Sequence, residues 1–153
     1  MLRERILAAL APRRTVHAHC DIPCGIYDPH GAEIAAKTVS KMVALILDGW
    51  AEGGRVEPGS QADLEVRNKV IRCVKVKEEH AELCKRELQI LWSDYFKPEH
   101  LEKHPDLHDR FWKALKQAGK CKQSVDAAAA AELEAQVARI ADAFWETKGG
   151  RPS

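Results

Sequence analysis

The chain has 153 residues, of which 45% are hydrophobic and 31% are charged, and its formal net charge is +1. This length suits one domain that buries a core without disulfides, and the composition is typical of a soluble globular protein. The longest apolar run, residues 42–47, is far shorter than the roughly 20 residues of a membrane-spanning helix. The near-neutral charge argues against a nucleic-acid-binding or membrane-surface role, because both require a basic excess.

The first 18 residues differ from the rest, and we expect them to be a cleaved leader. Four arginines oppose a single acidic residue, Glu4, so the segment carries a net charge of +3. Its apolar stretch, residues 6–11, is shorter than the roughly 7 to 15 residues of a secretory signal peptide. A small residue, Ala18, ends the segment as it would end a signal peptide, which keeps that alternative open.

Residues 19–29, HCDIPCGIYDP, concentrate side chains that bind metals. One histidine and two cysteines fall within six residues, and a proline and a glycine allow the backbone to bend between and after them. No second pair of cysteines or histidines follows at the spacing of a zinc finger. His19, Cys20 and Cys24 therefore need further donors from nearby.

Cleavage between Ala18 and His19 would supply those donors from the backbone. The new amine of His19 and the deprotonated amide of Cys20 would form two fused five-membered chelate rings with the Cys20 sulfur. Cys24 would complete a planar set of two nitrogens and two sulfurs, which suits nickel or copper rather than zinc. The uncut chain instead offers His17, His19, Cys20 and Cys24, four donors able to hold zinc tetrahedrally.

Two helices are predicted after this segment. The first follows Pro29 and ends near Gly53, and the second opens at Ser60, an N-cap that Asp63 follows three residues later. Their apolar residues recur at the spacing that places side chains on one side of a helix, with Lys77 as the one interruption. The predicted faces are Ala35, Val39, Met42, Val43, Ile46 and Trp50 in the first helix, and Val66, Val70, Cys73, Ala81, Cys84, Leu88 and Leu91 in the second.

Two shorter helices are predicted in the second half of the chain. Residues 92–105 connect to them, because Pro98 and Pro105 interrupt any helix there. The fourth helix starts near Ser124 or Asp126. No strand alternation and no long repeat is present, and four amphipathic helices pack most simply as an antiparallel four-helix bundle. The predicted faces are Leu107, Phe111, Leu115 and Ala118, then Leu133, Val137, Ile140 and Phe144, with Gly149 and Gly150 after them.

The other cysteines and histidines are predicted to be packing or surface residues. The chain has five cysteines, an odd number that does not suggest a disulfide framework, and free cysteine packs as a small apolar group. Three histidines are spaced by four, which on a helix would form a metal-binding ladder, but prolines interrupt that spacing. These residues are Cys73, Cys84 and Cys121, and His100, His104 and His108.

Three strings of this sequence resemble blocks of one family, the nickel superoxide dismutases. HCDIPCGIYDP is similar to the nickel-binding hook of that family. The strings WSDYFKP at 92–98 and FWETK at 144–148 are similar to two later blocks, in the same order and in roughly the same places. The chain from residue 19 onward is therefore identified as a member of the family.

The resemblance implies a nickel-dependent enzyme that converts superoxide to hydrogen peroxide and dioxygen through a Ni(II)/Ni(III) cycle. It implies a pro-segment at 1–18 that a peptidase removes, and a domain at 19–153 with the hook at 19–29 and a four-helix bundle at 30–148. It also implies a cytoplasmic homohexamer, and the near-neutral charge predicts no nucleic-acid or membrane partner. Two alternatives remain: a non-catalytic zinc- or nickel-binding helical module, and a helical interaction protein in which the hook is only a structured terminus.

The resemblance also implies roles for individual residues. His19 would bind nickel through its amine and its imidazole, Cys20 through its amide nitrogen and its sulfur, and Cys24 through its sulfur. The Tyr27 hydroxyl would stand over the open face of the metal, and Tyr95 is a second candidate for the same pocket. The alternative for Tyr27 is simple aromatic packing at the first helix.

This chain departs from the family at two positions. Where other members have a glutamate and an arginine that orient the hook imidazole, this chain has Ala35 and His80. A metal-bound histidine nearly always has a partner on its outer nitrogen. His80 or a water molecule is therefore predicted to replace the missing pair, and the alternative is that His80 is a solvated helix residue.

Overall fold

The structure, a computed structural model, describes residues 26–151 and contains four α-helices in this range. Each helix packs on the next in the chain, and the first also packs on the last, so the helices form the predicted antiparallel bundle. None of the described helices is long and apolar enough to cross a membrane. The helices are α1, His30–Gly53; α2, Gln61–Ile90; α3, Leu107–Gln123; and α4, Ala127–Thr147.

Two glycines of α1, Gly49 and Gly53, allow α1 and α2 to approach each other closely. A Cβ atom on Gly49 would stand 2.7 Å from Cγ2 of Val70, and one on Gly53 would stand 3.5 Å from Cγ1 of Val66. Because a carbon atom cannot be accommodated at 2.7 Å, the close approach of the two helices requires a glycine at position 49. The two pairs also show the antiparallel register, in which the start of α1 faces the end of α2.

The starts of α2 and α4 are capped by residues that the sequence identifies. Oγ of Ser60 accepts a hydrogen bond of 3.2 Å from the backbone N–H of Asp63, and Oδ1 of Asp126 accepts one of 3.0 Å from that of Ala129. Each cap satisfies a backbone donor that has no partner within its helix. The Arg67 side chain and a backbone amide before the helix hold the pKa of Asp63 below its usual value.

Lys77 interrupts the apolar pattern of α2, yet it is only 2% exposed. Its ammonium donates hydrogen bonds to the backbone carbonyls of Cys121 at 2.9 Å, Lys122 at 2.9 Å and Ser124 at 2.7 Å. Carbonyls at the end of a helix lack partners within it, and a cation is favoured at this negative end of the helix dipole. Lys77 therefore ties α2 to the turn between α3 and α4.

Most residues of the predicted apolar faces are buried, but Trp50 is 79% exposed. Its prediction as part of a packed face is therefore wrong within this chain. The reason is helix length: α1 and α2 have 24 and 30 residues, whereas α3 and α4 have 17 and 21. The loop end of the α1–α2 hairpin extends beyond the two shorter helices, so neither α3 nor α4 covers the outer face on which Trp50 lies.

The connection between α2 and α3 consists of two short helical turns. A π-helical turn spans Leu91–Tyr95, and a 3₁₀ turn spans Pro98–Glu102. His100 lies in the 3₁₀ turn, His104 is buried beyond it and His108 lies in α3, so the three do not share a helix. No group of three or more potential metal ligands occurs within residues 26–151.

We predict that Lys77→Met lowers the free energy of unfolding by about 2–3 kcal/mol, because carbonyls at the end of α3 then lose their donor. Lys75→Met is the matched control, since the Lys75 side chain is 75% exposed on the same helix. Urea unfolding followed by circular dichroism measures both variants. Equal losses of stability in the two would contradict the role of Lys77.

Candidate metal centre and its surroundings

Three separate parts of the sequence meet at one end of the bundle. Tyr27 comes from the segment before α1, Tyr95 from the π-helical turn after α2, and Phe144 from the last turn of α4. The ring centroids of Tyr27 and Tyr95 are 5.5 Å apart, and those of Tyr95 and Phe144 are 4.4 Å apart. These separations are those of contacting aromatic rings. The two tyrosines predicted for one pocket therefore do lie together.

The hydroxyl of Tyr95 is bound to the end of α4. It pairs with Oγ1 of Thr147, and the Thr147 hydroxyl donates a hydrogen bond of 2.6 Å to the carbonyl of Phe144. Because Thr147 has a single hydroxyl hydrogen, Tyr95 must be the donor in their shared bond. The hydroxyl hydrogen of Tyr95 is therefore directed toward α4, while its ring contacts Tyr27.

Two further side chains enclose the Tyr95 ring. The imidazole of His100 stacks on it with ring centroids 5.7 Å apart, and the Lys148 ammonium lies 5.1 Å from the ring centroid. An ammonium at this distance is attracted by the negative face of an aromatic ring. This end of the bundle therefore holds a cation beside the paired tyrosines.

The two positions at which the chain departs from its family lie on facing helices. Ala35 of α1 is fully buried, and His80 of α2 is half-buried. Nδ1 of His80 is 2.9 Å from the carbonyl oxygen of Val76. Because a carbonyl can only accept, Nδ1 carries the hydrogen, and in the neutral ring Nε2 then carries a lone pair. His80 thus presents the acceptor that the outer N–H of a metal-bound histidine requires.

Glu87, near the same end of the bundle as Tyr27, carries a carboxylate that the sequence analysis did not predict as part of the site. A Cβ atom on Gly31 would lie 3.1 Å from Oε2 of Glu87, so the glycine makes room for this carboxylate against the first turn of α1. Glu87 lies seven residues after His80, which is two helical turns along the same side of α2. This spacing was the sequence signal that could have identified it.

The cysteines outside the hook are all buried and free, as predicted. Burial raises the pKa of the Cys84 thiol to about 12 and also raises the pKa of Cys121. Since the thiolate is the metal-binding form, burial disfavours metal binding at these two residues. The predicted ligands His19, Cys20 and Cys24 lie outside the described residues.

Comparison with known proteins identifies the family. The model of the family described as nickel-containing superoxide dismutase matches residues 14–148. The chain belongs to this family. The superoxide dismutase (Ni) of Streptomyces coelicolor is 40% identical over 138 residues, which cover 90% of this chain and 94% of that protein. The corresponding protein of Streptomyces seoulensis is 39% identical over the same shares.

Solved structures of nickel superoxide dismutase share the fold. One, with nickel ligation corresponding to the state after partial X-ray-induced reduction, gives a TM-score of 0.71 at 38% identity, and a native structure gives 0.68 at 37%. Each comparison covers 86% of this chain and 100% of the other. Family membership makes nickel the cofactor and superoxide dismutation the activity, as the resemblance implies, and does not favour a non-catalytic metal-binding module.

We predict that Tyr95→Phe keeps the aromatic contacts and lowers the free energy of unfolding by about 1 kcal/mol, because a single hydrogen bond is lost. Tyr95→Ala should cost about 3 kcal/mol, because the ring contacts are lost as well. Combined with Thr147→Val, the phenylalanine variant should show a coupling of about 0.5–1.5 kcal/mol in a double-mutant cycle. A coupling near zero in urea unfolding would mean that Thr147 does not hold the hydroxyl.

Proposed function

We propose that this chain dismutates superoxide at a nickel ion held by His19, Cys20 and Cys24 after residues 1–18 have been removed. The fit rests on donor chemistry, because two thiolates and an amidate are the strong, anionic donors that nickel needs to change oxidation state, and the amine of His19 adds a neutral nitrogen donor. Burial favours the protonated thiols of Cys84 and Cys121, so these two residues are poorer ligands than the hook cysteines. Bound nickel supplies one-electron chemistry by alternating between Ni(II) and Ni(III).

The observation that carries the proposal is the anchoring of Tyr27. This residue follows Cys24 by three positions, and its ring packs on Tyr95, which is itself held by α4. The chain that leaves the hook is thereby tied to the rigid end of the bundle. The Tyr27 hydroxyl is the group that we assign to ordering water and superoxide beside the metal. Tyr95 acts through its ring, as a positioning residue for Tyr27.

The overall reaction consumes two superoxide anions and two protons, and releases one dioxygen and one hydrogen peroxide. The site must therefore attract an anion and deliver protons. The Lys148 ammonium beside Tyr95 contributes positive potential at this end of the bundle, which favours the approach of superoxide. The Tyr27 hydroxyl passes protons from ordered water toward the reduced substrate.

We further propose the organisation that the family resemblance implies. Residues 1–18 are a pro-segment removed by a processing peptidase, residues 19–29 form the hook, and residues 30–148 form the bundle within a domain at 19–153. The enzyme acts in the cytoplasm as a homohexamer. Its near-neutral charge supports the absence of nucleic-acid and membrane partners.

We predict that the active protein begins at His19 and contains one nickel per subunit. Only a free amine at this position can serve as the additional nitrogen donor of the planar site. Native mass spectrometry, with metal analysis of the same sample, measures both quantities. An active enzyme that retains residues 1–18 would rule out the amine ligand, and zinc on an intact chain would support the non-catalytic module.

We predict that Cys20→Ser and Cys24→Ser each abolish dismutase activity. A neutral hydroxyl cannot replace a thiolate that stabilises the oxidised metal. Cys73→Ser is the matched control, because Cys73 lies in α2 outside the proposed ligand set. Pulse radiolysis gives the turnover and metal analysis gives the nickel content. Substantial activity in either hook variant with nickel bound would refute the ligand set.

We also propose that His80 takes the role of the glutamate and the arginine that other family members have and this chain lacks. Its Nε2 accepts a hydrogen bond from the outer N–H of His19, either directly or through one water molecule. The bond from Nδ1 to Val76 supports this role, because it fixes the tautomer that leaves Nε2 as an acceptor. Glu87 is the competing acceptor, since its carboxylate packs against the first turn of α1.

We predict that His80→Ala leaves the nickel content nearly unchanged but slows turnover about 10- to 100-fold, as the loss of an outer partner commonly does. His80→Gln, whose amide oxygen still accepts, should restore much of the rate. Electron paramagnetic resonance should show an altered axial nitrogen splitting in the alanine variant. Unchanged turnover and splitting in His80→Ala, with both altered in Glu87→Ala, would assign the role to Glu87.

A further inference from the structure

The chain folds back after α4 over the end of the bundle at which Tyr27 and Tyr95 meet. Two glycines follow the helix, and both have positive φ angles, +86° at Gly149 and +124° at Gly150. The N–H of Gly150 donates a hydrogen bond of 2.9 Å to the carbonyl of Trp145, which closes the turn on the end of α4. Residues with a Cβ atom resist these backbone angles, so the turn depends on glycine at both positions.

This turn brings Arg151 to the start of α1. Nη2 of Arg151 donates a hydrogen bond of 2.6 Å to Oε1 of Glu33, a residue 118 positions earlier in the chain. The Glu33 side chain is only 16% exposed, whereas that of Arg151 is 54% exposed. Because the carboxylate is largely withdrawn from solvent, water and salt screen this pair less than they screen a pair of fully exposed side chains.

Glu33 is part of the turn that begins α1. Its backbone N–H donates a hydrogen bond of 3.0 Å to the carbonyl of Pro29, whose side chain is fully buried. In the same turn, Oδ1 of Asp28 accepts a hydrogen bond of 2.7 Å from the N–H of His30. A carboxylate in the first turn of a helix is also favoured by the helix dipole. The bond to Arg151 therefore holds the turn by which the chain enters α1.

Residues 147–151, which we call the C-terminal strap, contact two separate parts of this end of the bundle. The hydroxyl of Thr147 pairs with that of Tyr95, and the ammonium of Lys148 lies 5.1 Å from the centroid of the Tyr95 ring. Arg151 binds the first turn of α1. The strap therefore joins the end of α4 to both places at which the chain is held before α1, the tyrosine pair and the helix start.

We propose that Arg151 is a positioning residue for the metal site, because its bond to Glu33 fixes the direction of the chain between α1 and the nickel ligands. This inference rests on the proposed function, in which Cys24 is the last of those ligands. Five residues, 25–29, separate Cys24 from the start of α1. A shift of the first helical turn is carried to the ligands over this short stretch, and the strap limits that shift.

The effect of the strap is local rather than global. An ion pair with one exposed partner contributes little to the stability of a whole domain. The first turn of a helix, however, opens without unfolding of the rest of the protein, and a bond made in that turn acts directly on its opening. Without Arg151, the Glu33 carboxylate is also free to turn toward His30, whose Nδ1 is 4.0 Å from Oε2.

The first test measures hydrogen exchange by mass spectrometry in the peptide that covers residues 26–34 of the full chain. Arg151→Ala should speed exchange there about two- to fivefold, and Arg151→Lys should restore most of the protection. Arg139→Ala is the matched control, because the Arg139 side chain is also 54% exposed and its Nη2 is 3.0 Å from Oε1 of Glu132. This measurement needs no nickel, so its outcome is independent of the proposed function.

The second test follows the metal in the processed, nickel-loaded protein. Arg151→Ala should speed the loss of nickel to a chelator about two- to fivefold and alter the axial nitrogen splitting in electron paramagnetic resonance. Glu33→Arg and Arg151→Glu should each have the same effect. Combined in one chain, these two changes should restore both properties, because the reversed pair again joins opposite charges. General destabilisation cannot produce such a recovery.

The third test displaces the strap without removing a charge. Gly150→Ala should reproduce the faster exchange and the faster nickel loss of Arg151→Ala, because a Cβ atom opposes the φ angle of +124°. Gly119→Ala is the matched control. Gly119 lies within α3, and a Cβ atom there would meet no atom within 4 Å.

Three results would overturn the proposal. The first is wild-type exchange at residues 26–34 in both Arg151→Ala and Gly150→Ala. The second is a charge-reversed double variant that loses nickel as fast as Glu33→Arg alone while it keeps its helical circular dichroism. The third is faster exchange in Arg151→Ala with unchanged nickel loss and an unchanged nitrogen splitting, which would make the strap a structural contact with no effect on the metal site.

Discussion

The ring of Tyr95 is the contact on which the arrangement of the functional end depends. It touches Tyr27 from the segment before α1, Phe144 from α4 and His100 from the 3₁₀ turn, and its hydroxyl is bound to Thr147. Each aromatic contact contributes about 0.5–1.5 kcal/mol beyond the burial of area. Because these contacts share one ring, a change at any of these segments displaces the others. The position of the chain that leaves the hook is therefore coupled to the stability of the bundle.

Local signals predict most of the fold. The caps at Ser60 and Asp126 and the faces of the four helices follow from side chains within a few residues of each other. The burial of Lys77 and the exposure of Trp50 do not follow from such local signals. A periodic pattern treats a lysine as a polar interruption, but the Lys77 side chain reaches carbonyls of another helix. The same pattern tells which side of α1 is apolar, and it cannot tell that α4 is too short to cover Trp50.

The candidate site, like the fold, is predicted from the sequence only in part. The proposed ligand set was inferred from residue types at short spacing, and the pairing of Tyr27 with Tyr95 was expected only because the family blocks that contain them are recognisable. The contact between Gly31 and Glu87 depends on the register of α1 against α2. That register is set by close approaches such as the one at Gly49, far along the hairpin. No local pattern in the sequence encodes it.

The buried thiol of Cys84 has a consequence for an enzyme that makes an oxidant. Hydrogen peroxide attacks thiolates and not thiols, so the oxidation of a cysteine depends on its ionised fraction and on its access to solvent. With a pKa of about 12, only about one Cys84 in 10⁵ is ionised at neutral pH. Its low ionised fraction and its complete burial therefore both protect Cys84 from the hydrogen peroxide that the enzyme releases.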